Sequence, residues 1–141
     1  MKVKSLASTP AVTAPPETPI REIAAIMVRR RIGLVVLTRS EELVGVISER
    51  DIVRAVAQDI DMARPAETIA TRHVVTIDAE ADIKEAVALF RRHNIRHLVV
   101  VNKGQIYGVL SIRDLVREKE LLAGLEEYAT VQADALWIVG D

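Results

Sequence analysis

Apolar residues along this chain fall into two alternating kinds of run. Ile20, Ile23, Ala24, Met27 and Val28 recur at the spacing of one helical face, and so do Ile83, Ala86, Val87, Leu89 and Phe90. After each helix come two short apolar runs, Leu34–Leu37 with Leu43–Ile47, and Leu98–Val101 with Ile106–Leu110. Their β-branched content predicts strands, and the unbroken Leu34–Leu37 run predicts a strand buried on both faces. Ser40-Glu41-Glu42 and Asn102-Lys103-Gly104 supply the turns of two antiparallel hairpins. Thr18-Pro19 reads as N-cap and first residue of the first helix, running to about Arg30. Asp82 with Glu85 reads as a capping box for its counterpart, and Asn94 as the left-handed residue that ends it. Arg29-Arg30-Arg31 reads as a solvated helix end that complements the dipole. Pro10, Pro15, Pro16 and Pro19 leave Ala11-Val12-Thr13 as a short extended piece, matched later by Val74–Ile77. Val3, Leu6 and Ala7 predict a lead-in turn or strand, and 66–70 a turn of helix in the corresponding place.

These elements are one pattern written twice. Displacing the chain by 63 residues lays Val12–Val53 on Val75–Val116 without a gap, with fifteen identities in forty-two positions, among them Thr13/Thr76, Glu22/Glu85 and Ile32/Ile95. Each copy reads strand, helix, strand, strand, helix. The repeat divides the chain into 1–60 and 61–120, followed by 121–141. In that last stretch Leu121, Leu122, Leu125 and Tyr128 continue a helical stripe, and Ala133–Val139 forms an apolar terminus that either folds back on the domain or packs on a second copy of the chain.

Both copies end the second hairpin strand on one pattern: Gly45-Val46-Ile47-Ser48-Glu49-Arg50-Asp51 and Gly108-Val109-Leu110-Ser111-Ile112-Arg113-Asp114. A Ser-x-x-Asp that opens a helix is well explained as an N-cap with its reciprocal carboxylate. Capping does not explain Arg50 and Arg113, which stand in a first helical turn where the dipole disfavours cations. A bound phosphate supplies a reason for both, and the adjacent Asp suits the vicinal hydroxyls of a ribose.

Composition removes several alternatives. The formal net charge of −1 provides no strongly basic field for nucleic acid or an anionic membrane, and aromatic residues for stacking are scarce at 3%. Nucleic-acid binding rests only on Arg29–Arg31 and Arg91-Arg92. Without cysteine there is no disulfide and no Cys-ligated metal, in keeping with a cytoplasmic setting. No signal peptide is visible, and no apolar run approaches the roughly 20 residues of a membrane span. Ser48 has no neighbouring His or Lys to activate it, which argues against a hydrolytic nucleophile. His93 and His97 are separated by a helix end, which argues against a metal pair, and His73 reads as solvent-facing.

The repeated ending, together with Asn94-Ile95-Arg96-His97-Leu98-Val99-Val100 and the order of elements, resembles a tandem pair of cystathionine-β-synthase (CBS) domains, or Bateman module, over about residues 3–120. The resemblance implies an α+β fold of two pseudo-twofold-related repeats packed through their sheets, and a non-catalytic regulatory module. It also implies two clefts that bind adenine nucleotides, AMP foremost, then ADP and ATP, with no metal required, and assembly as a homodimer. Asp51 and Asp114 would then fall one in each cleft, which leaves no carboxylate pair for acid–base work. Carried over residue by residue, one cleft has Ser48 and Asp51 on the ribose, the backbone of Val74, Val75 and Thr76 on the adenine, and Arg96 and His97 by the phosphate. The other has Ser111 and Asp114, with Pro10, Ala11, Val12 and Thr13 at the base and Ile32, Gly33 and Leu34 along the wall. Arg50 and Arg113 cross over, each to the phosphate beside the other copy's Asp. Because Gly33-Leu34 stands where the second copy has Arg96-His97, one dominant site is expected. The alternatives are a homodimerisation scaffold whose boxes only cap helices, or a binder of S-adenosylmethionine-type ligands or, weakly, nucleic acid. An unknown regulated protein is a further expected partner.

Overall fold

The computed structural model describes residues 1–117. Its strands are β1 (Thr13–Ala14), β2 (Leu34–Arg39), β3 (Glu42–Ser48), β4 (Thr76–Asp78), β5 (His97–Asn102) and β6 (Gln105–Ser111). Its helices are α1 (Ile20–Arg30), α2 (Glu49–Ala57) and α3 (Ile83–His93). The chain turns helical again over 112–117, and short 3₁₀ turns stand at Val3–Ser5 and Ala66–Thr68. The α+β class and both copies of the strand-helix-strand-strand-helix pattern are present. The 121–141 stretch, with its helical stripe and apolar terminus, lies outside the described residues.

Each copy forms a three-stranded sheet, β1-β2-β3 and β4-β5-β6, its first pair parallel and its hairpin antiparallel. The registers match as closely as the sequences do. Leu34 pairs with Ser48 and shifts after Leu37, and His97 pairs with Ser111 and shifts after Val100. Both hairpins turn on two residues at positive φ, Ser40-Glu41 and Lys103-Gly104, the geometry that matches strand twist. Asn94 ends α3 in the left-handed region (φ 51°), and Asp82 caps α3 by accepting from the Lys84 N–H at 2.8 Å. The start of α1 departs from expectation. Pro19, not Thr18, is its N-cap, and no side chain caps it. The reason is tertiary: the free N–H groups of Ile20 and Arg21 donate to the Arg64 and Met62 carbonyls, each at 2.9 Å.

Three apolar clusters hold the fold. One lies under each sheet, and a third, of Leu34, Val36 and Val99 with Val46 and Val109 beside them, joins the two sheets face to face. This is why β2 and β5 are buried on both sides. The lead-ins cross between halves. Val3 is fully buried in the second copy's cluster with Ile77, Phe90 and Leu110, and Val3 N–H donates to the Ala81 carbonyl at 2.8 Å. Reciprocally, Ala66 is fully buried with Ile23, Val35 and Ile47 of the first copy. Each half is thus completed by a segment from the other copy.

The crossing explains two repeated glycines. Thr71 exchanges both backbone hydrogen bonds with Val46, and Ser8 does the same with Val109. A Cβ on Gly45 would lie 2.8 Å from the Thr71 carbonyl oxygen, and one on Gly108 only 2.2 Å from that of Ser8. Only a bare backbone lets the strap lie that close.

Candidate functional site

The two repeated endings place Ser48 and Ser111 at the last residue of β3 and β6, with a helix starting one residue later. Ser48 is the N-cap of α2. Its Oγ accepts from the Asp51 N–H at 3.2 Å, and Asp51 Oδ2 accepts from the Ser48 N–H at 2.8 Å. In the second copy Asp114 Oδ2 accepts from the Ser111 N–H at 2.8 Å and Ser111 Oγ from the Arg113 N–H at 3.2 Å. The capping role is real at both places. It uses one oxygen of each carboxylate. Asp51 Oδ1 lies 3.4 Å from Arg54 Nη1. Burial pushes the pKa of Asp114 up, against the lowering effects of the Ser111 N–H and Arg117. A desolvated carboxylate of this kind gains most from a hydroxyl donor brought by a ligand.

Both boxes open on one continuous cleft of about 640 Å³ between the halves. Its walls carry Ser48, Arg50, Asp51, Val74, Val75, Arg96, His97, Ser111, Arg113, Asp114, Pro10, Ala11, Val12, Ile32, Gly33 and Leu34. Arg50 and Arg113 both line it, so the two cations at helix starts face a cavity with room for a small molecule. Thr13 and Thr76 do not line it: they begin β1 and β4, exposed, on backbone register with Val36 and Val99. The carbonyls of Val12 and Val75 just before them are already hydrogen-bonded, to the Val36 and Val99 N–H groups at 3.0 and 3.3 Å.

Several lining residues were not anticipated. His73, read from sequence as solvent-facing, is exposed and lines the cleft with Thr71. Arg54 and Arg117, also in the wall, are visible on extending the 63-residue register by one position. Glu49, Arg30 and Arg31 carried no such signal, and the last two are in the cleft wall as well as at a helix end. Seven arginines face the cleft (30, 31, 50, 54, 96, 113 and 117) against three carboxylates (Glu49, Asp51 and Asp114). In a chain of net charge −1 the positive charge is gathered here, which selects for an anion.

The middle of the cleft joins the halves directly. His97 Cε1 lies 3.4 Å, and Glu49 Oε1 2.9 Å, from where a Cβ on Gly33 would stand. The glycine therefore makes room for the other copy's imidazole. Burial first, then Arg113 and Arg96, push the His97 pKa down to about 4. His97 is neutral near pH 7 and offers a ligand an N–H donor, while the cations are Arg96 and Arg113. Among the described residues no group of three or more His, Cys, Asp or Glu could hold a metal ion, and no helix is long and apolar enough to cross a membrane.

Comparison with known proteins agrees with this architecture. The family model described as "CBS domain" matches twice, at residues 3–58 and 66–120. The solved CBS domain protein PAE2072 from Pyrobaculum aerophilum, complexed with AMP, superposes with a TM-score of 0.81 at 44% identity, covering 92% of this chain and 99% of that one. The CBS domain pair of MJ0100, in complex with 5′-methylthioadenosine and S-adenosyl-L-methionine, has a TM-score of 0.78 at 28% identity, covering 84% and 94%. An uncharacterized 17.7 kDa protein of Acidianus ambivalens is 35% identical over 82% of this chain and 71% of its own length. Inosine-5′-monophosphate dehydrogenase of Aquifex aeolicus is 30% identical over 77% of this chain, which spans only 22% of that enzyme.

Proposed function

This chain belongs to the CBS domain family as a tandem pair, and from that premise we propose that it is a non-catalytic regulatory module whose cleft binds adenine nucleotides, AMP foremost and ADP or ATP next. One observation carries the reading. Two pseudo-equivalent helix starts, each with a Ser-x-x-Asp cap and an adjacent Arg, open into one arginine-rich cleft between the halves. Asp51 and Asp114 accept from ribose hydroxyls with the oxygen not used in capping. Arg50, Arg96 and Arg113 neutralise phosphate, and His97 donates one hydrogen bond to it. The apolar walls, Ala11, Val12, Ile32, Leu34, Val74 and Val75, take the base, with backbone groups reading its edge. Chemistry on the ligand is not part of the proposal, because Ser48 and Ser111 have their hydroxyls engaged by backbone N–H groups rather than by a base.

AMP is placed first because the relative at 44% identity was solved with it, and the MJ0100 pair makes an S-adenosylmethionine-type ligand the alternative. A ligand that ties the halves together also fixes the crossing lead-ins, which is how occupancy reaches the outer surface and a regulated partner. The second reading, a homodimeric scaffold, is favoured by the exposed apolar residues on the outer faces of α1 and α2: Val28 (78% exposed), Val53 (67%) and Val56 (58%). The ligand decides between the two readings. At about 100 times its Kd a ligand adds roughly 2.7 kcal/mol of stability, so a melting screen with AMP, ADP, ATP, S-adenosylmethionine and GTP should show a rise of about 10 °C for an adenine nucleotide. No rise with any of the five leaves only the scaffold.

A further inference from the structure

The two copies differ in the residues they bring to the cleft wall. The second contributes Arg96 and His97; the first has Gly33 and Leu34 in their place, with neither a cation nor a side-chain donor. Two positions upstream the difference reverses. Arg30 and Arg31 stand where the second copy has His93 and Asn94, and both arginines line the cleft. The lining residues of the first copy are then four arginines (30, 31, 50, 54) against Glu49 and Asp51, a net +2 with histidines taken as neutral. Those of the second are three arginines (96, 113, 117) against Asp114, again +2. Without Arg30 and Arg31 the first copy's share would be zero.

The backbone adds an independent reason. Residue 31 ends α1 in the left-handed conformation, φ 55° and ψ 47°, as Asn94 ends α3 at 51° and 47°. Asn suits this geometry and a long side chain does not. Arg31 is exposed and makes no ion pair or side-chain hydrogen bond among the described residues, so no polar partner of its side chain offsets that cost. Helix-dipole compensation is already met by Arg29 and Arg30 in the last turn.

We infer that Arg31, assisted by Arg30, is the first copy's replacement for the Arg96–His97 pair, so that the cleft has an anion-binding corner at each end and takes two phosphate groups, one per copy. This rests on the nucleotide reading of the cleft and replaces the expectation of one dominant site with two sites of comparable strength.

Arg31→Asn tests it, because Asn is what the second copy uses at this backbone position. Isothermal titration with AMP should give two sites per wild-type chain. Arg31→Asn should weaken one of them at least tenfold, Arg31→Lys should recover most of the loss, and the melting temperature of ligand-free Arg31→Asn should be unchanged or higher. A structural role would instead lower the melting temperature and leave affinity alone, which overturns the inference. So does an Arg31→Asn titration indistinguishable from wild type, whether the wild type binds one AMP or two, although the nucleotide reading then stands. No AMP binding by wild type in this titration removes both.

Discussion

Replacing Gly108 with Ala puts the strap across β6 to a quantitative test. The new Cβ would stand 2.2 Å from the Ser8 carbonyl oxygen, 3.1 Å from its carbon and 3.3 Å from Thr9 Cβ. The first contact is against backbone, so residues 8 and 9 must withdraw by about 1 Å before the contact is ordinary. Withdrawal breaks the pair of hydrogen bonds between Ser8 and Val109, at 2.9 and 3.0 Å, and pulls on Val3, which anchors the same segment in the second core. Two backbone hydrogen bonds at about 1 kcal/mol net each, with about 1 kcal/mol or more of overpacking, give a loss of roughly 2–4 kcal/mol. For a chain of this size that is a fall of about 8–15 °C in melting temperature. Gly45→Ala, whose Cβ would meet the Thr71 carbonyl at 2.8 Å, should cost less. Gly104→Ala is the control: nothing lies within 4 Å, and only its φ of +79° is strained, at about 1 kcal/mol. Urea unfolding of the three variants gives the order. A Gly108→Ala protein within about 0.5 kcal/mol of wild type would refute the argument that the strap's closeness is why glycine stands there.

Asp51→Asn and Asp114→Asn keep an acceptor for the capping N–H, so ligand-free stability should fall by under about 1 kcal/mol each while AMP affinity drops tenfold or more in titration. Equal losses with and without nucleotide would favour the scaffold. His97 has a folded pKa of about 4 against an ordinary 6.5, so between those values the unfolded chain takes up a proton that the folded one refuses. Stability from this residue is complete above about pH 6.5 and is lost as pH falls towards 4, by up to about 3 kcal/mol, and His97→Gln should remove that slope in urea unfolding at pH 7.5 and 4.5. Val53→Asp with Val56→Asp should leave the fold intact and convert a dimer to monomer by light scattering, whereas an unchanged mass would show that this face is not the interface.

The elements were legible because their signals are local. Helical spacing from Ile20 and Ile83, the two hairpin turns and the doubled Ser-x-x-Asp each need only a few neighbouring residues, and the 63-residue register located them twice. The crossing lead-ins were not legible. Val3 and Ala66 lie in segments too short for periodicity, and their partners are far off in sequence, so only the recurrence of Gly45 and Gly108 hinted that something lies against those strands. The cap of α1 was misplaced by one residue for the same reason, since the Arg64 and Met62 carbonyls that replace the Thr18 side chain come from the linker. The Ser-x-x-Asp boxes with Arg50 and Arg113 followed from the repeat and most of the remaining cleft wall from the family resemblance, whereas Thr13 and Thr76 fell outside it because the first strands begin two residues later than their apolar runs. The Arg30–Arg31 pair satisfied a complete explanation as a basic helix end, and only the fold shows that this end also borders the cleft.

A crystal grown with AMP tests the central claim most directly. The account predicts nucleotide density between the halves, with ribose hydroxyls within hydrogen-bond reach of Asp51 or Asp114 and phosphate oxygens against Arg50, Arg96 or Arg113. A cleft left empty at saturating AMP, or a nucleotide bound away from both Ser-x-x-Asp boxes, would contradict it.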